Sequence, residues 1–292
     1  MSHFALATQL AKEEYRILNA IEISMRKFEW VPMKNIIFYS RVDTERVQFW
    51  LDKVHKRDLV IRHEGGRKNE GFALNSKGYD LLAAHALAEE DAVLSIGNSL
   101  GVGKESDVYQ GIGKDGEFLA LKFHRIGRTS FRNIKAKRDY VVDKFHTSWL
   151  YMCRVSATRE AEHLKKLNEI GADVPVLKGH NRHVVVMKQY DGQEIQEFDE
   201  VDDVQGIFEQ VIRNVKKIYK EAHLIHCDLC EYNIIYTRDK HVIIIDWPQA
   251  VSTSHPNARL LLKRDIENVC KYFGRHGVNA DPETILEDIA SS

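Results

Sequence analysis

Residues 226–249 read HCDLCEYNIIYTRDKHVIIIDWPQ, and three side chains in that run stand at offsets suited to phosphoryl transfer: Asp228, Asn233 five residues on, and Asp246 eighteen on. A carboxylate can take the proton of a hydroxyl, while an amide oxygen and a second carboxylate are hard ligands of the kind magnesium prefers. A short loop over 226–231 places Asp228 and Asn233 on one backbone curve. Ile234, Ile235 and Tyr236 then read as a strand, 237–240 as a turn and 242–245 as the returning strand, so that the hairpin carries Asp246 back beside Asn233. A lone aspartate is usually a surface residue or a cap. Three such groups behind two apolar strands point instead to catalysis.

A phosphoryl-transfer enzyme must also hold the rest of a nucleotide, and the upstream sequence offers a place. Residues 93–96 read as a strand, followed by GNSLGVGKESDVY over 97–109 and a second strand running to Gly111. In this glycine-rich hairpin Gly101 and Gly103 let backbone N–H groups approach phosphate oxygens, and Lys104 and the Ser106 hydroxyl add donors. A P-loop would need glycine at 98 and Ser or Thr after the lysine, but Asn98 and Glu105 stand there. A dinucleotide fold would open a helix after Gly103, where this chain reads as a strand.

After the turn at Lys114, Asp115 and Gly116 comes the alternating strand EFLALKFH, with Lys122 between Leu121 and Phe123. Kinases place their phosphate-contacting lysine on the strand that follows the glycine hairpin; the plainer reading is an outward-facing surface lysine. The expected partner is a glutamate on the next helix, read from about 156 to 170. Glu160 and Glu162 are the candidates, and Glu160 is preferred because Ala161, Leu164 and Leu167 would form the packed face.

Several blocks together, GVGKESDVY, LALKFHRIGRTSFRNIKAKRDY, SWLYMCRVSATREAEHL, IHCDLCEYNIIY and IDWPQAVSTSHPNA, resemble the RIO family of atypical kinases, in its branch with an N-terminal winged helix. The resemblance runs from about residue 5 to 275. It implies an ATP- and magnesium-dependent serine/threonine kinase and ATPase. Asp228 would be the catalytic aspartate, Asn233 and Asp246 the metal ligands, and Asp246 also a possible acceptor of the phosphoryl group. Gly103, Lys104, Ser106, Lys122 and Glu160 would serve the phosphates, with Met187, Lys188, Tyr190 and Ile235 completing the nucleotide site; the 187–190 hinge would read adenine through its backbone. The family setting is late maturation of the small ribosomal subunit, so the implied partners are ATP and a small-subunit precursor with its RNA.

Three positions depart from the family pattern. Cys227 stands where the family usually has glycine and ordinary kinases have the arginine that grips a phosphorylated activation loop, which puts control by such a loop in doubt. Trp247 replaces a phenylalanine, and Lys188 an acidic hinge residue. After Asp246 only 46 residues follow, read as one loop and one amphipathic helix with Leu261, Leu262, Ile266 and Val269 on its face, too few for a large peptide-docking platform.

The expected fold is α+β, a winged helix over residues 1–90 followed by a reduced bilobal kinase-like domain. The N-lobe, an antiparallel sheet plus a helix, would span 91–190 with a basic flexible loop at 125–147, and a truncated helical C-lobe 191–292. In the first unit Ile17, Leu18, Ile21, Met25 and Phe28 recur at helical spacing, Pro32 opens a short helix, and a third begins near Asp43 or Thr44. Two strands around EGGRKNE and a helix capped by Ser76 complete it. Arg46, Lys53, Lys56, Arg57, Arg62, Arg67 and Lys68 cluster on its third helix and wing as a candidate RNA-contacting face, with a merely solvated face as the alternative. The basic run from Arg125 to Lys144 reads as a loop that cannot pack into a core.

Net charge is −1, so affinity for nucleic acid must come from local patches, and 292 residues suffice for two or three compact units without staples. With no long apolar run and no cleavable leader, the chain reads as a cytoplasmic, soluble monomer away from membranes. Four cysteines fit a reducing compartment. Cys227 and Cys230 form one C-x-x-C near His223 and His226, but no second pair exists to close a zinc site. Two other functions use part of the pattern. A small-molecule phosphotransferase of the aminoglycoside or choline kinase type would leave the winged helix unexplained. A nucleic-acid-binding module with an inactive kinase half would leave Lys122, Asp228, Asn233 and Asp246 unexplained.

Overall fold

The computed structural model describes residues 7, 9–65, 71–126, 142–197 and 203–291. Contacts group Met1–Ala157 with Gly179–Val186 into one compact unit, and Thr158–Lys178 with Met187–Ser292 into another.

The first unit begins with α1 (Lys12–Ser24), which buries Ile17, Leu18 and Ile21 along one face and carries Glu13 and Glu14 in its first turn, where the helix dipole favours them. Helix α2 (Met33–Ser40) starts directly after Pro32, and α3 (Thr44–Lys56) is capped by the Asp43 carboxylate, which accepts from the Glu45 N–H at 3.4 Å. Strands β1 (Val60–His63) and β2 (Gly71–Leu74) pair antiparallel from Val60↔Leu74 to His63↔Gly71, with Val31 bridged to Phe72. The cap of α4 (Ser76–Glu89) is Asn75, not Ser76: the Asn75 side chain accepts from the Gly78 N–H at 3.0 Å, and its amide nitrogen donates to the Asp58 carbonyl at 2.8 Å. Gly78 is obligatory here, since a Cβ would lie 2.2 Å from the Leu59 carbonyl oxygen. Helix α4 is buried on nearly all sides and is the central helix of this unit.

A sheet in the order β3-β4-β5-β7-β6 follows, from β3 (Ser95–Val102), β4 (Ser106–Ile112) and β5 (Phe118–His124) to β6 (Leu177–Asn181) and β7 (Val184–Lys188). The first three strands pair antiparallel, with two register shifts in β3 between Ile96 and Gly101. One hydrophobic core runs from Ile17 and Leu51 through Leu74 and Leu87 to Leu119, Phe123 and Val186. The boundary drawn at residue 90 from sequence is therefore no break in packing. Helix α5 (Val142–Glu169) also starts far earlier than the expected residue 156, because Leu150, Cys153, Ala157, Ala161, Leu164 and Leu167 extend one buried stripe. Most of the basic segment expected at 125–147 lies outside the described residues. Its first member does not: Arg125 is 4% exposed, which overturns its assignment to a mobile loop.

Around Arg125 lies a buried polar group that includes His183 in the turn between β6 and β7. His183 Nε2 approaches Asp80 Oδ1 at 2.8 Å, and Tyr79 stacks on its ring at 4.4 Å. Burial, above all, pushes the His183 imidazole down from 6.5 to about 4, against the pull of Asp80. The unfolded chain then binds the proton first as pH falls, so stability is complete above about pH 6.5 and is lost on the way towards pH 4. Denaturant midpoints should show a loss of about 2 kcal/mol between pH 7.5 and pH 5, flattened in His183→Gln; an equal slope in both proteins would remove His183 as the cause.

In the second unit β8 (Gly192–Glu194), β10 (Ile234–Thr237) and β11 (Val242–Ile244) form a sheet in the order β11-β10-β8. Helix α6 (Val204–Lys217) is capped by Asp203, which accepts from the Gly206 N–H at 2.8 Å, and runs into one π turn (Ile218–Ala222) before the left-handed His223. Buried Asn214 holds both backbone groups of Asp173, at 3.0 and 2.9 Å. Strands β9 (Leu224–Ile225) and β12 (Val251–Ser252) pair, and α7 (Ala258–Arg275) buries Leu262, Ile266 and Val269 as its periodicity requires. A further helix, α8 (Pro282–Ala290), was not anticipated; Asp281 caps it and Pro282 opens it. Among the described residues no helix is long and apolar enough to cross a membrane.

Candidate active site

The loop between β9 and β10 is built almost wholly from hydrogen bonds to its backbone. Asp265 on α7 accepts from the Cys227 N–H at 2.7 Å and from the Leu229 N–H at 3.2 Å, so one carboxylate fixes the peptides on both sides of Asp228. Arg264 donates to the Cys227 carbonyl, and Asn268 to that of Leu229 at 3.2 Å. Burial pushes the Asp265 carboxyl up, while the His226 ring, the two N–H donors and Arg264 oppose it. Sequence reading missed this residue, although a charged side chain on the face shared by Leu262, Ile266 and Val269 was the visible signal.

His226 reaches the neighbouring loop. Its Nε2–H donates to the Ile245 carbonyl at 2.8 Å, and its Nδ1 accepts from the Asp228 N–H at 3.2 Å, which fixes the tautomer. Cys227 adopts φ 69°, the left-handed region that favours glycine, and its thiol is pushed up to about 11 by burial first and Asp265 second. Cys230 is shifted the same way. Both therefore carry protons at neutral pH, which gives no support to a thiolate metal or redox site.

Asn233 ends a short 3₁₀ turn (Glu231–Asn233) and is buried. Its amide nitrogen donates to the Asp228 carbonyl at 2.8 Å, and its own carbonyl accepts from the Ile245 N–H at 2.9 Å. The β10–β11 register, Ile234↔Ile244, accordingly extends to Asn233 opposite Ile245, with Asp246 next in line. With its NH₂ group engaged, the ligand end of Asn233 is Oδ1, which is the end a hard cation takes. Asp246 sits at φ 71°, a conformation costing an aspartate about 1–3 kcal/mol that its surroundings must impose. Trp247 supplies the restraint. Its N–H donates to Glu160 Oε1 at 3.2 Å, its carbonyl accepts from His163 Nδ1 at 2.8 Å, its indole N–H donates to the Ile244 carbonyl at 2.8 Å, and its ring is fully buried against His226.

Glu160 is 1% exposed on α5 whereas Glu162 faces solvent. At the hinge the Lys188 N–H pairs with the Val176 carbonyl at 2.9 Å and its ammonium lies 5.2 Å from the Tyr190 ring centre. That N–H is already committed, so backbone reading of a base there would fall to the Lys188 carbonyl and the Tyr190 N–H. Met187 is buried and Ile235 half-buried on β10.

The remaining candidates belong to the first unit. Lys122 is 7% exposed on β5, opposite Val108, and is not the outward-facing lysine of the plainer reading. Gly103 and Ser106 close the β3–β4 hairpin through the Gly103 N–H, which donates to the Ser106 carbonyl at 2.8 Å. Neither Gly101 nor Gly103 has a positive φ; a Cβ on Gly101 would meet nothing within 4 Å, and one on Gly103 would press the Ser106 carbonyl oxygen at 3.3 Å. Lys104 is exposed and Ser106 half-buried.

The candidate RNA face changes in character. Buried Glu14 draws in Lys53 at 3.5 Å and Arg57 at 3.3 Å, and Lys53 also covers the Trp50 ring at 4.7 Å. Arg62 pairs with Glu64 at 3.4 Å. Arg67 and Lys68 lie outside the described residues. Arg46 and Lys56 remain exposed on α3.

The family profile described as RIO domain covers residues 107–285, and the profile described as Rio2, N-terminal, covers 7–90. The RIO-type serine/threonine-protein kinase Rio2 of Methanocaldococcus jannaschii is 40% identical over 269 residues, 90% of this chain and 97% of that protein. The serine/threonine-protein kinase RIO2 of Caenorhabditis elegans is 38% identical over 266 residues, 91% of this chain and 50% of that protein, so this chain spans about half its length. The crystal structure of the Rio2 kinase–ADP/Mg²⁺–phosphoaspartate complex from Chaetomium thermophilum superposes with a TM-score of 0.86 at 32% identity, covering 98% of this chain and 88% of that one. The chain belongs to the RIO-domain family of serine/threonine-protein kinases, in its Rio2 branch.

Proposed function

We propose that the protein uses ATP and magnesium to form an aspartyl phosphate on itself, and that this cycle serves maturation of the small ribosomal subunit in the cytoplasm. The observation that carries the reading is the pinned pair of loops in which Asn233 bonds both the Asp228 carbonyl and the Ile245 N–H. Magnesium, taken by Asn233 Oδ1 and Asp246, would neutralise charge on the phosphates. In the covalent step an Asp246 carboxylate oxygen attacks the γ-phosphorus, the bond to the β–γ bridging oxygen breaks, and ADP leaves with that electron pair. Water then cleaves the acyl phosphate to restore the carboxylate and release inorganic phosphate. Where a hydroxyl is the acceptor instead, Asp228 takes its proton. Lys122, Lys104 and Ser106 are assigned to the phosphates, Glu160 to the support of Trp247, and Met187, Lys188, Tyr190 and Ile235 to the base. The phosphoaspartate in the Chaetomium relative supports the covalent step.

The winged helix is assigned to RNA of the precursor particle, through Arg46 and Lys56 before the residues held by Glu14. Incubation of the monomeric protein with labelled ATP and small-subunit precursor particles tests both parts. Hydroxylamine-sensitive label should appear on the protein, and Arg46→Glu with Lys56→Glu should weaken particle binding with a salt slope smaller by about two. Label resistant to hydroxylamine would end the covalent reading, and an unaltered slope would assign the face to a protein contact.

A further inference from the structure

The buried Arg125 lies one residue past the end of β5 and three residues after Lys122. Its backbone N–H donates to the Glu105 carbonyl at 2.6 Å, and its Nε–H donates to Asp107 Oδ2 at 2.9 Å. One residue thus grips the chain on both sides of Ser106, which itself pairs in register with His124. The far end of the guanidinium forms a two-pronged pair with Asp80 on α4, Nη1 to Oδ1 at 2.7 Å and Nη2 to Oδ2 at 2.8 Å. His183 Nε2 closes the group, 3.3 Å from Nη1. All four side chains are buried, and Asp80 is 45 residues from Arg125 in sequence.

Stability alone explains this poorly. A buried ion pair pays heavily in desolvation, and apolar residues of the same volume would often hold a core as well or better. What a guanidinium fork supplies is geometry, because both prongs and the Nε–H must be met in one plane. The plane defined here runs from the winged-helix segment to the returning strand of the phosphate hairpin. We infer that Arg125 is a positioning residue for phosphate binding and that Asp80 is its anchor, so the winged helix is a working part of the ATP site and not only a targeting module. The inference rests on the phosphotransfer reading given above. Displacement of α4 by a partner would, by the same linkage, move the peptide around Ser106 and alter the grip on the phosphates.

The readout is the ratio of Mg·ATP affinity to adenosine affinity, measured by calorimetry, because adenosine reports base binding without phosphates. Asp80→Asn keeps the side-chain shape and should lower that ratio by about ten- to a hundredfold while adenosine affinity stays unchanged. Arg125→Lys should do the same, since a point charge cannot reproduce the fork. Asp107→Asn provides a third, milder variant read in the same way, which keeps the measurement available if the lysine protein does not fold. Glu22→Gln is the control: it removes the partner of Arg182, 2.8 Å away in the same unit but outside this group, and should lower thermal stability without moving the ratio. An unchanged ratio in folded Asp80→Asn and Asp107→Asn, or an equal fall in Glu22→Gln, overturns the inference. A wild-type protein that binds Mg·ATP no better than adenosine would instead overturn the phosphotransfer reading beneath it.

Discussion

Asp228→Asn is expected to lower phosphoryl transfer to a hydroxyl acceptor by about a thousandfold while Mg·ATP binding stays within about twofold of wild type. The split follows from the geometry. The Asp228 backbone is held by His226 through its N–H and by Asn233 through its carbonyl, and the flanking peptides by Asp265, so an isosteric side-chain change leaves the loop in place. The side chain itself faces solvent and contributes nothing to packing. Rapid-quench measurement of labelled transfer, alongside calorimetric ATP binding, separates the two effects. Retained transfer would remove Asp228 from the role of base, and lost binding would show that it holds the nucleotide instead.

Asp246→Asn should have the larger effect on the enzyme's own phosphorylation, abolishing hydroxylamine-sensitive label and weakening magnesium-dependent ATP binding by at least about tenfold. An amide offers one neutral oxygen where the carboxylate offers two charged ones, and it cannot form an acyl phosphate. The backbone should be undisturbed, because asparagine tolerates the left-handed region as well as aspartate does and Trp247 retains its three hydrogen bonds. Mass analysis of the trapped protein locates any label. Acid-labile phosphate persisting in Asp246→Asn would place the acceptor elsewhere.

Much of the hairpin that carries Asn233 and Asp246 was legible in sequence because its logic is local. Asn233 lies opposite Ile245, the neighbour of Asp246, through two short antiparallel strands whose alternation and turn lie within fourteen residues, and a register set by apolar residues admits no slip. Lys122 was legible for the same reason, as the centre of an alternating strand after a glycine hairpin. The spacing of Gly101 and Gly103 suggested donors near phosphate; the structure adds that the Gly103 N–H closes the hairpin and that neither backbone needs a positive φ. Nor does a list of cations reveal that buried Glu14, some forty residues earlier in the chain, already draws in Lys53 and Arg57.

By itself, then, the sequence determined most of the elements, which residues are candidates for phosphoryl-transfer chemistry and which family they resemble, because periodicity, turn residues and fixed offsets act over a few residues. Only the tertiary structure decided how those residues are held: Asp265 beneath the catalytic loop, Trp247 around Asp246, and Asp80 joined through Arg125 to the strand behind Ser106. Each of these depends on a charge or dipole being buried beside a partner 36 to 87 residues away. The price of burying a charge is set by everything packed around it, and no local stretch of chain contains that information.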